Sequence, residues 1–233
     1  MKYSVAPEVF SAYPGYVRGV VVARNCVNGE SNPRLVELLR GAESAARLNP
    51  LLDNLASHPR IAAWRVAYSA FGATPSKFPS SVEAILKRAH RGDSLPYIND
   101  LVALGTYITL KYLLPTGGHD LDRTEGDLLL TFATGDEVFR PLGSDALEHP
   151  ERGEVIYRDD AKVLCRRWTW RQADADKVTL ATRNVEMNVD GLPPTSMSDV
   201  RAAMAECAAL LRQLCGAETR ELMLSATSPC LEL

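Results

Sequence analysis

The sequence predicts a single α+β domain, and three observations carry that reading. Helical periodicity fills residues 33–114, and β-branched or alternating segments fill 127–189. Strands and helices do not alternate strictly, which argues against a doubly wound parallel sheet. No Pro-, Gly- or Ser-rich linker divides the 233 residues, so one core is expected.

Each element has a local reason. Tyr16 to Val27 is rich in valine and bounded by Pro14-Gly15 and Asn28-Gly29, so it reads as a strand. Asn32-Pro33 supplies an N-cap and an N1 proline for a helix reaching about Leu48, where Asn49-Pro50 stops it. Ser57, His58 and Pro59 open a second helix that Gly72 ends. Ser80-x-x-Glu83 is a capping box for a short third helix ended by Gly92, with Lys87, Arg88 and Arg91 at its negative pole. Tyr97 to Leu114 is apolar nearly all round and is expected to be a buried helix, broken by the loop Pro115-Thr116-Gly117-Gly118.

Beyond that break, residues 127–133, 138–142, 154–157, 163–170 and 178–189 read as a meander of short strands. Val163 to Arg171 has nearly period-2 patterning, with one apolar and one cationic face. Asp199 to Cys215 is an amphipathic helix closed by Gly216, and Glu221 to Leu224 is a last strand.

Composition excludes several classes. The net charge of −3 and 46% apolar content fit an ordered protein and exclude coating of DNA by charge alone. The five cysteines form no C-x-x-C pair and have no histidine at zinc spacing, so no metal site is expected. No segment has a signal-peptide core or the roughly 18 apolar residues of a membrane span, so a cytoplasmic protein is expected, with no membrane partner. P-loop, dinucleotide-binding, nucleophile-elbow and H-E-x-x-H motifs are all absent, and no cofactor is expected.

Five segments, in order, carry a resemblance: residues 75–102 (PSKFPSSVEAILKRAHRGDSLPYINDLV), 114–122 (LPTGGHDLD), 132–143 (FATGDEVFRPLG), 153–160 (GEVIYRDD) and 166–172 (RRWTWRQ). Together they resemble the B3/B4 domain of the phenylalanyl-tRNA synthetase β subunit, in free-standing form, over about Trp64 to Asn188. The resemblance implies an α+β fold with a β-sandwich-like sheet core flanked by helices. It also implies an editing activity that hydrolyses the ester between a wrong amino acid and the terminal adenosine of tRNA. The expected partner is then the aminoacyl-tRNA acceptor end, while the oligomeric state is left open.

The motif N-x-x-V-D-x-T-N-Y falls on Asn99 to Tyr107, keeping Asn99, Val102 and Tyr107 but placing Ala103, Gly105 and Thr106 at its Asp, Thr and Asn. The motif P-x-H-A-F-D falls on Pro115 to Asp120, with Gly117 at the editing histidine and His119 at an aromatic position. The pocket glycine of a third motif becomes Asp136, next to a retained Glu137.

An aminoacyl ester is already activated, so its hydrolysis needs a positioned water, a base and oxyanion donors, but no covalent nucleophile. The resemblance points to Glu154 and Glu137 as catalytic carboxylates and to Asn99 and Thr106 as substrate contacts. From its glycine-rich loop His119 is a further catalytic candidate, as an imidazole that ionises near neutrality, and Lys77, in a Pro-rich loop, a further contact for a tRNA phosphate. Each has a second reading from its place in the chain. Glu154 and Glu137 could be solvated loop or strand-end carboxylates, and His119 a surface histidine. Asn99 could be a helix cap, Thr106 a back-bonding hydroxyl, and Lys77 a plain exposed lysine rather than a phosphate contact. Arg166, Arg167, Trp168, Trp170, Arg171 and Arg183 could stack on bases, or could be a ribbon with tryptophan inside and arginine outside. Loss of three motif residues at Ala103, Gly117 and Asp136 leaves a non-catalytic module binding an amino acid or small amine as the alternative.

Overall fold

A computed structural model describes all 233 residues. In chain order the elements are β1 (Lys2–Val5), α1 (Pro7–Ala12), β2 (Val17–Arg24), α2 (Pro33–Arg47), α3 (Pro59–Ala70), α4 (Ser81–His90), α5 (Asp100–Tyr112), β3 (Thr116–Asp120), β4 (Leu128–Phe132), β5 (Val155–Arg158), β6 (Val163–Arg166), β7 (Arg171–Gln172), β8 (Val185–Gly191), α6 (Met197–Cys215), β9 (Glu218–Leu224) and β10 (Cys230–Glu232). No helix is long and apolar enough to cross a membrane.

The strands form two sheets, ordered β10-β1-β4-β5-β6-β7 and β3-β8-β2-β9. All pairs are antiparallel except β1 with β4. The sheets face each other as an open sandwich, because the Arg18 guanidinium of β2 lies 4.9 Å from the Tyr157 ring of β5. The outer face of the four-stranded sheet is covered by α5 and α6. A small separate core of Ala133, Phe139, Ile156, Val163 and Ala173 lies against the six-stranded sheet.

The sequence predicts the starts of α2 and α5 and the end of α6, whose own start lies two residues earlier than expected. Asn32 accepts the N–H groups of Arg34 and Leu35 to start α2, and Asn99 accepts that of Val102 to start α5. Ser196 and Asp199 form a reciprocal capping box on α6, which ends on Gly216 in the left-handed conformation. At α4 the expected box does not form. Ser80 makes no cap bond, because Glu83 turns instead to Arg65 at 2.5 Å.

Several strand expectations need correction. The Pro115-Thr116-Gly117-Gly118 segment is not a loop: residues 116–120 are the edge strand β3. Residues 138–142 contribute only isolated bridges, and 178–184 are turns that lead into β8. The 163–170 ribbon stops at Arg166, where Arg167 and Trp168 both take left-handed φ values of 46° and 62°. The terminal strands β1 and β10 and the helix α1 had no strong sequence signal.

Side chains of β8 alternate sharply. Val185, Met187 and Val189 face the helices, whereas Glu186, Asn188 and Asp190 face the opposite sheet, and all are buried. The same alternation puts Gly19 of β2 under α6, where an added Cβ would lie 2.1 Å from the Met204 sulfur and 2.9 Å from a Val200 methyl. Gly19→Ala is therefore expected to destabilise the fold by about 1–3 kcal/mol through overpacking, measured as a lower urea midpoint with an unchanged m-value.

Candidate functional site

Strand β3 is the open edge of its sheet, and a hollow wraps around that edge. One lobe, about 190 Å³, lies on the helix side and is lined by Val102 and Thr106 of α5, Ile85 of α4, Val178 and Met187. It contains no charged residue. The other lobe, about 170 Å³, lies on the sheet side against Arg18, His119, Asn188, Trp168, Trp170 and Ser81. Thr116, Gly117, Gly118 and Gln172 line both lobes. The two glycines leave no side chain to separate the lobes.

The edge offers backbone hydrogen-bonding groups. Gly118 C=O accepts from Gln172 Nε2 at 2.8 Å, and the Asp120 N–H donates to the Asp176 carbonyl at 3.0 Å. Residues 116, 118 and 120 therefore turn their backbone groups away from β8, and the Gly118 N–H points to the free edge.

His119 sits on the sheet-side face of β3, only 4% exposed, with its ring 4.6 Å from that of Tyr157. Its Nδ1 is hydrogen-bonded to the Asp176 carboxylate, which is fully buried. That partner assigns the ring proton to Nδ1 and leaves Nε2 as the acceptor. Nε2 makes no hydrogen bond and is not sealed from the hollow.

The floor is an ionic network. Arg18 meets Asp190 at 3.0 and 3.2 Å, and Asp190 also accepts from Tyr16 at 2.5 Å and Asn188 at 2.8 Å. Burial raises the Asp190 pKa against the pull of Arg18. Glu186, directly opposite His119 in the ladder, is completely buried and neither of its oxygens has a partner. Burial pushes its carboxyl up to about 7. Cys165 also lines this lobe, but burial pushes its thiol up to about 12, so it is no nucleophile at neutral pH.

The predicted site residues are only partly brought together. His119 lines the sheet-side lobe and Thr106 the helix-side lobe, where its hydroxyl back-bonds to the Val102 carbonyl at 2.9 Å. Asn99 is the α5 cap and is 1% exposed, so its amide is committed to the backbone. Lys77 is exposed, with Nζ 5.1 Å from the Phe78 ring, beside the aromatic roof.

The two glutamates do not line the hollow. Glu137 folds back onto the Thr134 and Gly135 N–H groups at 2.8 and 3.0 Å. Partial burial alone would raise its pKa, but these backbone bonds outweigh it and leave the carboxyl below its usual range. Glu154 is 2% exposed and grips Arg166 Nε and Nη2 at 3.0 and 2.8 Å, and the Arg167 N–H at 3.0 Å. No oxygen of such a carboxylate is free to meet water or an ammonium group. Its position points to a supporting role, because the turn it holds carries Trp168 and Trp170 into the hollow's wall.

That turn also settles the cation and aromatic cluster. Trp168 is a core residue, packed edge-on to Tyr13, Tyr16 and Trp64. Arg166 is buried in ion pairs, and Arg167 stacks between Phe78 and Trp170 at 3.8 and 4.6 Å. Arg183 caps nearby carbonyls away from this group. Asp176, Arg18, Asn188 and Glu186 are not among the residues that the sequence singles out, since none belongs to a motif.

A larger groove of about 530 Å³ runs between α2 and α5. Its charged groups are already paired, Arg34 with Glu37 and Lys111 with Glu206, and its one buried titratable side chain, Tyr107, is committed to Glu206 at 2.6 Å. The buried, unpaired carboxylate and the imidazole gather instead at the β3 edge.

An open two-sheet sandwich with helices on one face and a hollow at a sheet edge defines the class. The chain belongs to the B3/4 domain family, whose pattern matches residues 63–216. Its fold is similar to that of an N-terminal fragment of the phenylalanyl-tRNA synthetase beta-subunit from Pyrococcus horikoshii, with a TM-score of 0.50 and 13% identity. That likeness is one of fold, covering 95% of this chain and 53% of the fragment, so the chain spans about half of its length. No curated protein sequence matches the chain.

Substitution separates a supporting role of Glu154 from a merely peripheral one. Glu154→Ala leaves two arginines with little compensation and is expected to destabilise the fold by about 3 kcal/mol or more in urea. Glu148→Ala, which removes a half-exposed partner of the same arginines, is expected to cost about 1 kcal/mol or less. Equal effects would remove the supporting role assigned to Glu154.

Proposed function

We propose that this protein is a trans-acting editing hydrolase that releases a wrongly attached amino acid from tRNA, working at the β3 edge. One observation carries the reading: an imidazole held by a buried carboxylate turns its free nitrogen toward a hollow next to an unpaired strand edge. The family membership supports a synthetase-related role, and the two lobes supply space on both sides of a bound ester.

In this scheme Asp176 keeps the His119 proton on Nδ1. Nε2 takes a proton from water as the water oxygen bonds to the ester carbonyl carbon. The Gly118 N–H stabilises the oxyanion that forms. When the carbon–oxygen bond to the ribose breaks, the imidazolium returns the proton to the leaving ribose oxygen. The products are a free amino acid and tRNA with an intact terminal hydroxyl. Thr106 borders the lobe without a charge, and Lys77 lies where a phosphate of the acceptor end would pass. Glu137 and Glu154 take no chemical part, and Asn99 acts by starting α5.

The alternative, a binding module without turnover, is favoured by one observation. No carboxylate of this chain is free in the hollow to hold the substrate's ammonium group. A deacylation panel of mischarged tRNAs separates the two readings. Hydrolysis of at least one member is expected, with His119→Ala lowering kcat by about 10²–10⁴-fold at little change in KM. No turnover on any member, together with saturable binding of an aminoacyl-tRNA, overturns the hydrolase and leaves the module.

A further inference from the structure

The sheets of this sandwich enclose a set of polar groups that the scheme above does not use. Glu186 of β8 stands opposite His119 of β3 in the ladder, on the face turned to the other sheet. Both its oxygens are buried without a partner. So are the hydroxyls of Tyr3 on β1 and Tyr157 on β5, and the second oxygen of Asp176. Native proteins leave few such groups unpaired, and a cluster of them marks either bound water or a functional site. Hydroxyls and carboxylate oxygens left unpaired between the sheets are what buried water would bridge.

The groups facing Glu186 are known from every side. Arg18 approaches from β2, His119 from β3, Asp190 from its own strand, Asp176 from the connection before β8, and Tyr3 and Tyr157 from the opposite sheet. Arg18 is already committed to Asp190 at 3.0 Å. His119 is the one remaining group in this ring that can carry a matching positive charge and also reaches the hollow.

We propose that Glu186 is a positioning residue that shares one proton with His119 across the β3–β8 ladder, through water held between the sheets. The pair has two arrangements: a neutral carboxyl beside a neutral imidazole, or a carboxylate beside an imidazolium. In passing between them the proton leaves the carboxyl oxygen and binds the imidazole nitrogen, and no other atom changes. Glu186 thereby sets the charge in which His119 meets its substrate. This rests on the reading of His119 as the base, but the proton sharing itself does not depend on turnover.

The direction of the pH effect follows from burial. A carboxyl raised from 4.5 to about 7 is neutral in the folded chain over a window in which the unfolded chain is ionised. Stability from the neutral form is full below the unfolded value and is lost as pH rises through the folded one.

NMR of the native protein tests this without any variant. The Glu186 side-chain carboxyl carbon is expected to titrate near neutrality, with His119 showing a matching inflection at the same pH. In Glu186→Gln the inflection that His119 shares with Glu186 is expected to disappear, because the carboxyl that exchanged the proton is gone. If catalysis is present, the acid limb of kcat/KM changes in the variant while KM holds. A Glu186 carboxyl that titrates in the ordinary carboxylate range overturns the proposal. So does a His119 ring that titrates identically in the variant and the parent. Failure to hydrolyse any ester, with the NMR result as expected, would overturn the editing reading alone.

Discussion

Arg18 and Asp190 meet between adjacent strands of the smaller sheet, with the larger sheet packed over them in place of solvent. Removing two such charges from water costs several kcal/mol per ion, and that cost is offset only where the remaining lone pairs and protons find partners. Tyr16 and Asn188 complete the Asp190 shell, while Tyr3 and Tyr157 lay their rings against the guanidinium at 5.4 and 4.9 Å. The consequence is positional. Every residue of that shell belongs to a strand or to the turn just before one, so the sheets cannot slide without breaking it. The floor of the hollow is thus fixed by electrostatics, in a fold whose other contacts are mostly non-directional.

The opposite wall depends on a different balance. Two successive non-glycine residues in the left-handed region cost about 1–3 kcal/mol each, and Arg167 and Trp168 accept that cost. Trp168 recovers much of it by burial among three aromatic rings. Glu154 supplies the rest by accepting the Arg167 N–H while pairing with both arginines. A charged side chain near a pocket need not act on the substrate. Here it holds the backbone in the one shape that places tryptophans on both sides of Thr169.

Elements whose ends have strong chemistry were legible in the sequence. Asn32-Pro33 and Asn99 announce the starts of their helices, Gly216 the end of α6, and the valine run of β2 its strand. Strand β3 was hidden because Gly117 and Gly118 have low strand propensity and follow a proline, and only the pairing with β8 makes them extended. Strand β8 was read as a strand, but its two faces could not be told apart. Glu186, Asn188 and Asp190 alternate with apolar residues as though one face met water, and periodicity cannot distinguish water from a polar chamber between two sheets. For the same reason Asp176 and Arg18 escaped notice, being charged residues in unremarkable contexts. The resemblance drew attention to Glu137 and Glu154 by position along the chain. Direction of the side chain decides what a carboxylate can do, and nothing in the chain order encodes it.

Gly117 shows how the site holds together as a unit. The resemblance aligns it with the editing histidine of the synthetase motif, yet a Cβ placed there would lie 2.8 Å from the Asn188 amide oxygen. Asn188 cannot easily retreat, because its nitrogen is bound to Asp190, which holds Arg18. A bulkier residue at 117 therefore conflicts with the whole ionic floor, not with one neighbour. His119 lies two residues further on the same face, about 6.8 Å along the strand, where Asp176 can hold it and Glu186 faces it. His119 is the imidazole of this edge whose surroundings are built for it, and the crowding against Asn188 explains why a glycine stands at 117.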